Sequence, residues 1–465
     1  MVSHGRPLVD HEVGPILSVG RLTNEAGLAE RPWAILWFTN EVECLMSRIE
    51  ISLFLLVWLM AACDGETLGQ TDPGDGASLD VIAVDTAVDA HVPTDSNASR
   101  DAQSAPDMNS VQDALLDSRS PDSAIGNHPD GCRIGFSGGS AVGVGFPTPN
   151  ARLQSIGVVR ATILFAEFAD VTSDRTPEEV FQLLSPGAEA FFTANSYGRM
   201  DLILDPHLVW LPLQENAAHY AAGLTSFAGH RAFMDEAVRA ADPAFDFSST
   251  DVVVVMAAPN AQDIGYGPTW MGIPEYALVA DGRAFTNGVT SGADLLFWGS
   301  QWLNHELGHS MGLPDLYSFD GPDGFTRPFS VMDLINSSAP EFLAWERWQL
   351  GWLDDDQIIC DGLDSEIQLT PIESIGGLKA AMVRSAGDRV VVVESRRAIG
   401  YDVGLQDTGV VVSLVDGALP TGRGIIEVMH DRIPLTPGQS VVVDGVRVEI
   451  VSRTSMTDTV VLTRP

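Results

Sequence analysis

The sequence predicts a mixed α/β unit followed by a small all-β module, and three observations carry that prediction. Two nearly continuous apolar runs rich in β-branched residues, 160–168 and 251–257, enclose segments with helical spacing, as when strands buried on both faces alternate with helices. After Trp352 the texture changes to short Val-rich runs separated by Gly, Asp and Pro, the pattern of a sandwich or barrel. Ahead of both lies a stretch, 64–131, without one aromatic residue.

At 465 residues the chain exceeds what one hydrophobic core usually organises, so two folded units plus unstructured segments are expected. A hydrophobic fraction of 45% is that of a globular protein, which makes any disorder local. The formal net charge of -37 argues against nucleic acid and anionic lipid surfaces as partners, because binding polyanions needs clustered Lys and Arg. The acidity is read as solubility outside the cell.

Taken along the chain, residues 51–60 are strongly apolar but about half the length of a membrane-spanning helix, which suits the core of a secretion signal. They run into Ala61-Ala62-Cys63, which resembles the lipobox of bacterial lipoproteins, where the cysteine is diacylated and becomes the mature N-terminus. Such a signal works only near a start, so translation is expected at Met46, with 1–45 untranslated and 46–62 the signal peptide. Residues 63–131 follow as a disordered stalk: Asp89, Asp95, Asp101, Asp107 and Asp113 recur at intervals of six, and too little apolar area is present to offset the entropy of ordering. Like charges keep such a spacer extended.

The folded part is expected as 132–353, the mixed unit, and 354–465, the β module. Within the first, 160–168 and 251–257 are read as strands and 177–184 and 227–241 as helices. Within the second, 389–394, 409–415 and 440–451 are read as β runs, and no catalytic cluster is recognised there. Cys132 and Cys360 flank the mixed unit, and in an exported protein they are expected to pair. The alternative is that Cys132 reaches a metal as a latency switch.

The chemistry lies in residues 302–315, Trp-Leu-Asn-His-Glu-Leu-Gly-His-Ser-Met-Gly-Leu-Pro-Asp. On a helix, His305 and His309 stand one turn apart on one face, so both imidazoles can reach one ion. Leu303, Leu307 and Met311 occupy the opposite face and can enter the core. Gly312 and Pro314 end the helix. The resulting turn can bring Asp315 back as a third ligand, leaving the fourth tetrahedral position of a zinc ion to water. Glu306, between the histidines, is then placed to act as general base on that water and to return its proton to the leaving amine.

His305 to Asp315 matches H-E-x-x-H-x-x-G-x-x-D, the extended motif of the immune inhibitor A family of secreted bacterial metallopeptidases, which are metzincin-like zinc proteases. Residues 191–199 (FFTANSYGR) resemble that family's S-Y-G-[RK] segment and 330–333 (SVMD) its Met-turn. Residues 340–352 (PEFLAWERWQLGW) resemble the segment closing its catalytic domain, and 394–396 with 400–402 a pattern of its C-terminal β region. The resemblance spans most of 160–415. It implies an α+β zincin/metzincin-like catalytic domain, one zinc on His305, His309 and Asp315, catalysis by Glu306, and Met332 as a hydrophobic floor that does not ligate. The chain departs from the family in having the acidic stalk where many members carry a folded propeptide.

Further expectations are smaller. Tyr317 could hydrogen-bond the oxyanion of a reacting peptide. Asp320 and Asp323 could supply oxygen ligands to calcium, although turn chemistry explains them nearly as well. His207, His219, His230 and His430 are read as structural or surface residues. The function read from all this is an exported, membrane-tethered, monomeric zinc endopeptidase acting on protein or peptide substrates. The rival from another class is a surface lipoprotein that keeps the fold as a binding module without turnover, and a zinc hydrolase of non-peptide substrates is a second.

Overall fold

The computed structural model describes residues 129–136, 141–321, 324–333, 335 and 341–465. Met46, the signal 46–62, Cys63 and nearly all of the stalk lie outside the described residues, as does Asp323.

The first sheet is built from β1 (Gly157–Glu167), β2 (Met200–Pro212), β3 (Val252–Ala257), β4 (Thr269–Met271) and β7 (Asn287–Thr290), in the order β2-β1-β3-β7-β4. The pairings of β1 with β2 and β3, and of β3 with β7, are parallel, and β4 runs antiparallel at one edge. A two-stranded ribbon of β5 (Leu278–Ala280) and β6 (Arg283–Phe285) stands apart from this sheet. Parallel strands need crossover segments. Helices α1 (Pro177–Phe181) and α2 (Gly187–Asn195) lie in the one from β1 to β2, and α3 (Ala217–Leu224) and α4 (Phe227–Ala241) in the one from β2 to β3, whereas the one from β3 to β7 holds β4, β5 and β6; α5 (Leu295–Trp298), α6 (Ser300–Ser310) and α7 (Ala344–Gln349) follow the sheet.

Why the strand runs are apolar throughout is visible in the packing. Ala161, Ile163 and Phe165 of β1 and Val252, Val254 and Met256 of β3 face one core, together with Leu303, Leu307 and Met311. Their neighbours Leu164, Ala166, Val253 and Val255 face a second core that is covered by Phe233, Met234, Ala237 and Val238 of α4. A sheet clad on both sides leaves no position for a polar alternation. Helix α4 matches its expected span, and it starts where the Ser226 hydroxyl accepts from Gly229 N at 3.1 Å. Helix α1 stops at Phe181, three residues short of expectation, where the bonds tighten to the i→i−3 pattern: Leu183 N donates to Val180 O at 3.1 Å and Leu184 N to Phe181 O at 2.9 Å.

The C-terminal region is two facing sheets. One comprises β8 (Ile358–Cys360), β10 (Ala380–Arg384), β11 (Arg389–Arg396), β12 (Gly409–Asp416) and β13 (Ile426–Val428), and the other β9 (Glu366–Leu369), β14 (Ser440–Val443), β15 (Val446–Arg453) and β16 (Asp458–Thr463). Val391, Val393, Val410 and Val412 point between the sheets, against Val448, Ile450 and Val460. Val390, Val392, Val411 and Val415 point the other way, into the same core as α6 and β1. That core therefore continues across residues 353 and 354 without a break. The run 440–451 is not one strand but a hairpin, β14–β15, whose turn is Asp444-Gly445 with φ of 45° and 76°, the left-handed pair such a turn needs.

The segments that carried the family resemblance meet in one buried ionic cluster. Arg347 donates to Asn195 O and Oδ1 at 3.0 and 2.9 Å and pairs with Glu341, while its guanidinium lies over the Tyr197 ring. Arg396, fully buried, donates to Glu394 and Asp402 at 2.6 Å each and to the carbonyls of Phe329 and Phe342. No helix among the described residues is long and apolar enough to cross a membrane.

Cys132 and Cys360 form a disulfide across 228 positions, tying the segment ahead of β1 to β8. Replacing both by serine is expected to lower the unfolding free energy by about 2–5 kcal/mol. Urea unfolding under non-reducing conditions reads this as a lowered midpoint, and an unchanged midpoint would contradict it.

Candidate metal centre

Helix α6 sets the geometry. It starts after Gly299, whose φ of 53° reverses the chain, and ends in a full Schellman motif: Leu313 N donates to Gly308 O at 3.0 Å and Gly312 N to His309 O at 2.8 Å, with Gly312 at φ 102°. The expected termination at Gly312 and Pro314 therefore holds. Leu303 and Leu307 are fully buried on the core face. His305 and His309, 6% and 3% exposed, occupy the other.

Each imidazole is oriented through Nδ1. His305 Nδ1 lies 2.8 Å from Val331 O and His309 Nδ1 2.8 Å from Leu313 O. Carbonyls only accept, so both Nδ1 atoms carry a proton, and each Nε2 is the atom left to bind a metal ion through its lone pair once deprotonated. Those two atoms sit 3.3 and 3.1 Å from Oδ1 of Asp315, a residue with no exposed surface. His305, His309 and Asp315 thus bring three lone-pair atoms together and could hold a metal ion; among the described residues no other group of three does so. Without an ion, burial disfavours charge on His309, but the Asp315 carboxylate outweighs it and holds the imidazole up to about 9. Burial likewise opposes charge on Asp315, and the imidazoles hold it well below the usual carboxylate range. The cluster draws positive charge to itself, and its two nitrogens and one oxygen are donors that zinc accepts.

Glu306 stands beside this group and outside it. Burial raises its pKa, which the neighbouring imidazoles only partly offset. Thr269 on the edge strand β4 contacts it twice, its hydroxyl 2.7 Å from Oε2 and 2.9 Å from the backbone oxygen. Asp294 is a second carboxylate of the neighbourhood, pushed up to about 6 by burial and then by the charge of Glu306, and it accepts from Gly267 N and Gly292 N. Nothing in the sequence singled out Thr269 or Asp294, because β4 has three residues and no periodicity to read.

Met332 is fully buried, and its Sδ lies 2.3 Å from where a Cβ on Gly308 would stand. The turn around it is held from below, since Ser330 Oγ donates to Glu346 at 2.9 Å, accepts from Met332 N at 3.0 Å, and Arg396 donates to Phe329 O at 3.0 Å. Tyr317 stacks against His305 at 6.2 Å between ring centres. Burial, then the charges of Asp315 and Glu306, push its phenol above the ordinary range, so it stays protonated.

Other expected residues take different places. Cys132 is bonded to Cys360 and so is not a ligand of this centre. Asp320 forms an ion pair with Arg423. His230 is buried against Thr290 at 2.8 Å, and burial lowers it to about 3, which keeps it neutral. The β region does contribute to the site after all: Thr421, more than a hundred residues from Asp315 in sequence, contacts it directly.

No family model matches the chain, and no curated protein matches it. The resemblance to immune inhibitor A therefore rests on the residues themselves. Among solved structures, one similar chain is a catalytically inactive OgpA from Akkermansia muciniphila, crystallised with the O-glycopeptide substrate glycodrosocin. The two share 12% identity over 60% of this chain and 95% of that one, with a TM-score of 0.24, a likeness too slight to carry an argument.

Alanine in place of a mid-helix glycine normally gains about 1 kcal/mol, whereas overpacking a filled core costs about 1–3 kcal/mol. At Gly308 the second effect is expected to win, because Met332 is fully buried where the new methyl must go. Urea unfolding of chelator-treated Gly308→Ala should show lower stability than the parent; higher stability would contradict the contact.

Proposed function

We propose that this chain is a zinc-dependent endopeptidase of the immune inhibitor A type, with the zincin/metzincin-like catalytic fold that implies. The observation that carries the reading is the meeting of His305 Nε2, His309 Nε2 and Asp315 Oδ1 beside a carboxylate that is not one of the three. His305, His309 and Asp315 would hold the ion as the three protein ligands typical of catalytic zinc sites. When bound, zinc supplies Lewis acidity, acidifying a water and polarising a peptide carbonyl.

The chain's own groups do the rest. His305 and His309 are locked by their Nδ1 bonds with lone pairs facing inward. Glu306, steadied by Thr269 and raised by burial, takes the proton from the attacking water and delivers it to the leaving amine nitrogen. Its raised pKa brings donor and acceptor roles closer to neutral pH. Tyr317, kept protonated beside the centre, donates to the oxyanion.

The same proposal includes export and tethering: translation from Met46, cleavage after Ala62 and lipid on Cys63, with 63–131 as the spacer. The disulfide supports an oxidising compartment. Two acyl chains at one cysteine give durable anchoring where one is marginal.

Glu306→Gln is expected to cut the digestion of an unfolded protein such as casein by at least about a hundredfold while zinc content stays at one ion per chain. His309→Ala should lose both zinc and activity. Retention of activity in the glutamine variant would overturn the assigned base, and a parent protein that binds zinc but cleaves nothing would favour the binding-module reading.

The tether has its own test. Growth with labelled palmitate, followed by N-terminal mass mapping, should find label and a mature terminus at Cys63. An unlipidated chain, or cleavage after a residue other than Ala62, removes the anchor and leaves the zinc reading untouched.

A further inference from the structure

We propose that the C-terminal β region is a working part of the metal centre, with Thr421 as a positioning residue that aims the Asp315 carboxylate. This inference rests on the reading of Asp315 as a ligand. Asp315 needs such help because it follows the end of α6: the Schellman turn and Pro314 release it from the helix, so the hydrogen bonds that fix His305 and His309 do not fix it.

The loop between β12 and β13 supplies what the helix does not. Asp315 N donates to Thr421 Oγ1 at 2.8 Å, and that hydroxyl lies 3.4 Å from Asp315 Oδ2, oriented to donate back. One hydroxyl thus engages the backbone and the outer oxygen of the same residue, which turns Oδ1 towards the two imidazoles. Gly422 N donates to Asp315 O at 3.1 Å, and Gly422 O accepts from Phe319 N at 3.1 Å. This approach needs a glycine: φ is 68°, and a Cβ would fall 2.4 Å from the Phe319 ring.

A second grip falls on Gly324 and Phe325, further along from Asp315. Val428 N donates to Phe325 O at 2.9 Å, and the Arg432 guanidinium donates to Gly324 O at 2.7 Å. Arg432 belongs to a run, His430-Asp431-Arg432, in which three consecutive non-glycine residues hold left-handed φ of 56°, 54° and 60°. Such backbone is disfavoured for L-residues and persists only where surrounding contacts over-determine it. The β region therefore holds the chain both at Asp315 and at Gly324 and Phe325. Outer partners that orient a ligand typically change metal affinity by about 10–100-fold when removed.

The test is zinc affinity of the full chain, stripped by chelator and titrated with zinc chloride against a chromogenic competitor. Thr421→Val, which keeps the branched shape and loses the hydroxyl, should raise the dissociation constant by about 10–100-fold, and Thr421→Ser should restore it to near the parent value. Thr421→Ala removes the same hydroxyl without a branch to accommodate, so it gives the result if the valine variant folds poorly. Parental affinity in the folded valine or alanine variant, or a serine variant as weak as they are, would overturn the positioning role. Asp315→Asn separates the two readings. If it loses zinc while the Thr421 variants do not, only the positioning role fails; if it keeps parental affinity, Asp315 is not a ligand and both fall.

Discussion

Three ligand atoms buried face to face, His305 Nε2 and His309 Nε2 at 3.3 and 3.1 Å from Asp315 Oδ1, require positive charge between them. An unpaired buried acceptor is costly, and three sharing one space repel each other besides. In the absence of an ion the cluster recruits a proton, which is why His309 is held up and Asp315 down. A divalent cation satisfies the same demand with all three atoms at once. The Schellman end of α6, the buried turn around Met332 and the loop of the β region are each consistent with that one requirement, because each fixes one member of the set.

The means of fixing are mostly backbone. His305 is aimed by a carbonyl of the turn at Val331, and that turn is itself pinned by Glu346 and Arg396 through Ser330 and Phe329. Arg396 comes from β11, so strand register in the β region is transmitted to an imidazole in the mixed unit. Buried ion pairs of this kind add little net stability, yet losing one partner is severe because the other is left uncompensated. Their effect here is positional: Arg347 and Arg396, both fully buried, join α2, α7, β11 and the turn around Met332 through direct hydrogen bonds.

What the sequence allowed to be read follows the range of each interaction. The helix of His305 and His309 was legible because i, i+4 spacing and a Gly-x-Pro ending are local rules, and Asp315 followed from the turn they force. The strands 160–168 and 251–257 were legible because burial on both faces writes itself as an unbroken apolar run. The division of 440–451 into two strands is less legible although Asp444-Gly445 is a turn signal, since the flanking valines continue the apolar texture across it. Thr269, Asp294 and Thr421 could not be found, for their roles depend on contacts between segments distant along the chain and on no local pattern. The same holds for the segments around Asn195, Arg347 and Arg396, which read as separate strings and prove to be one cluster.

Anomalous diffraction from a crystal of the purified chain, recorded on both sides of the zinc edge, addresses the centre most directly. The account predicts one zinc peak per chain, about 2.0–2.2 Å from His305 Nε2, His309 Nε2 and an Asp315 oxygen, with a fourth position open to solvent. No peak in zinc-replete crystals, or a peak on other residues, would contradict it.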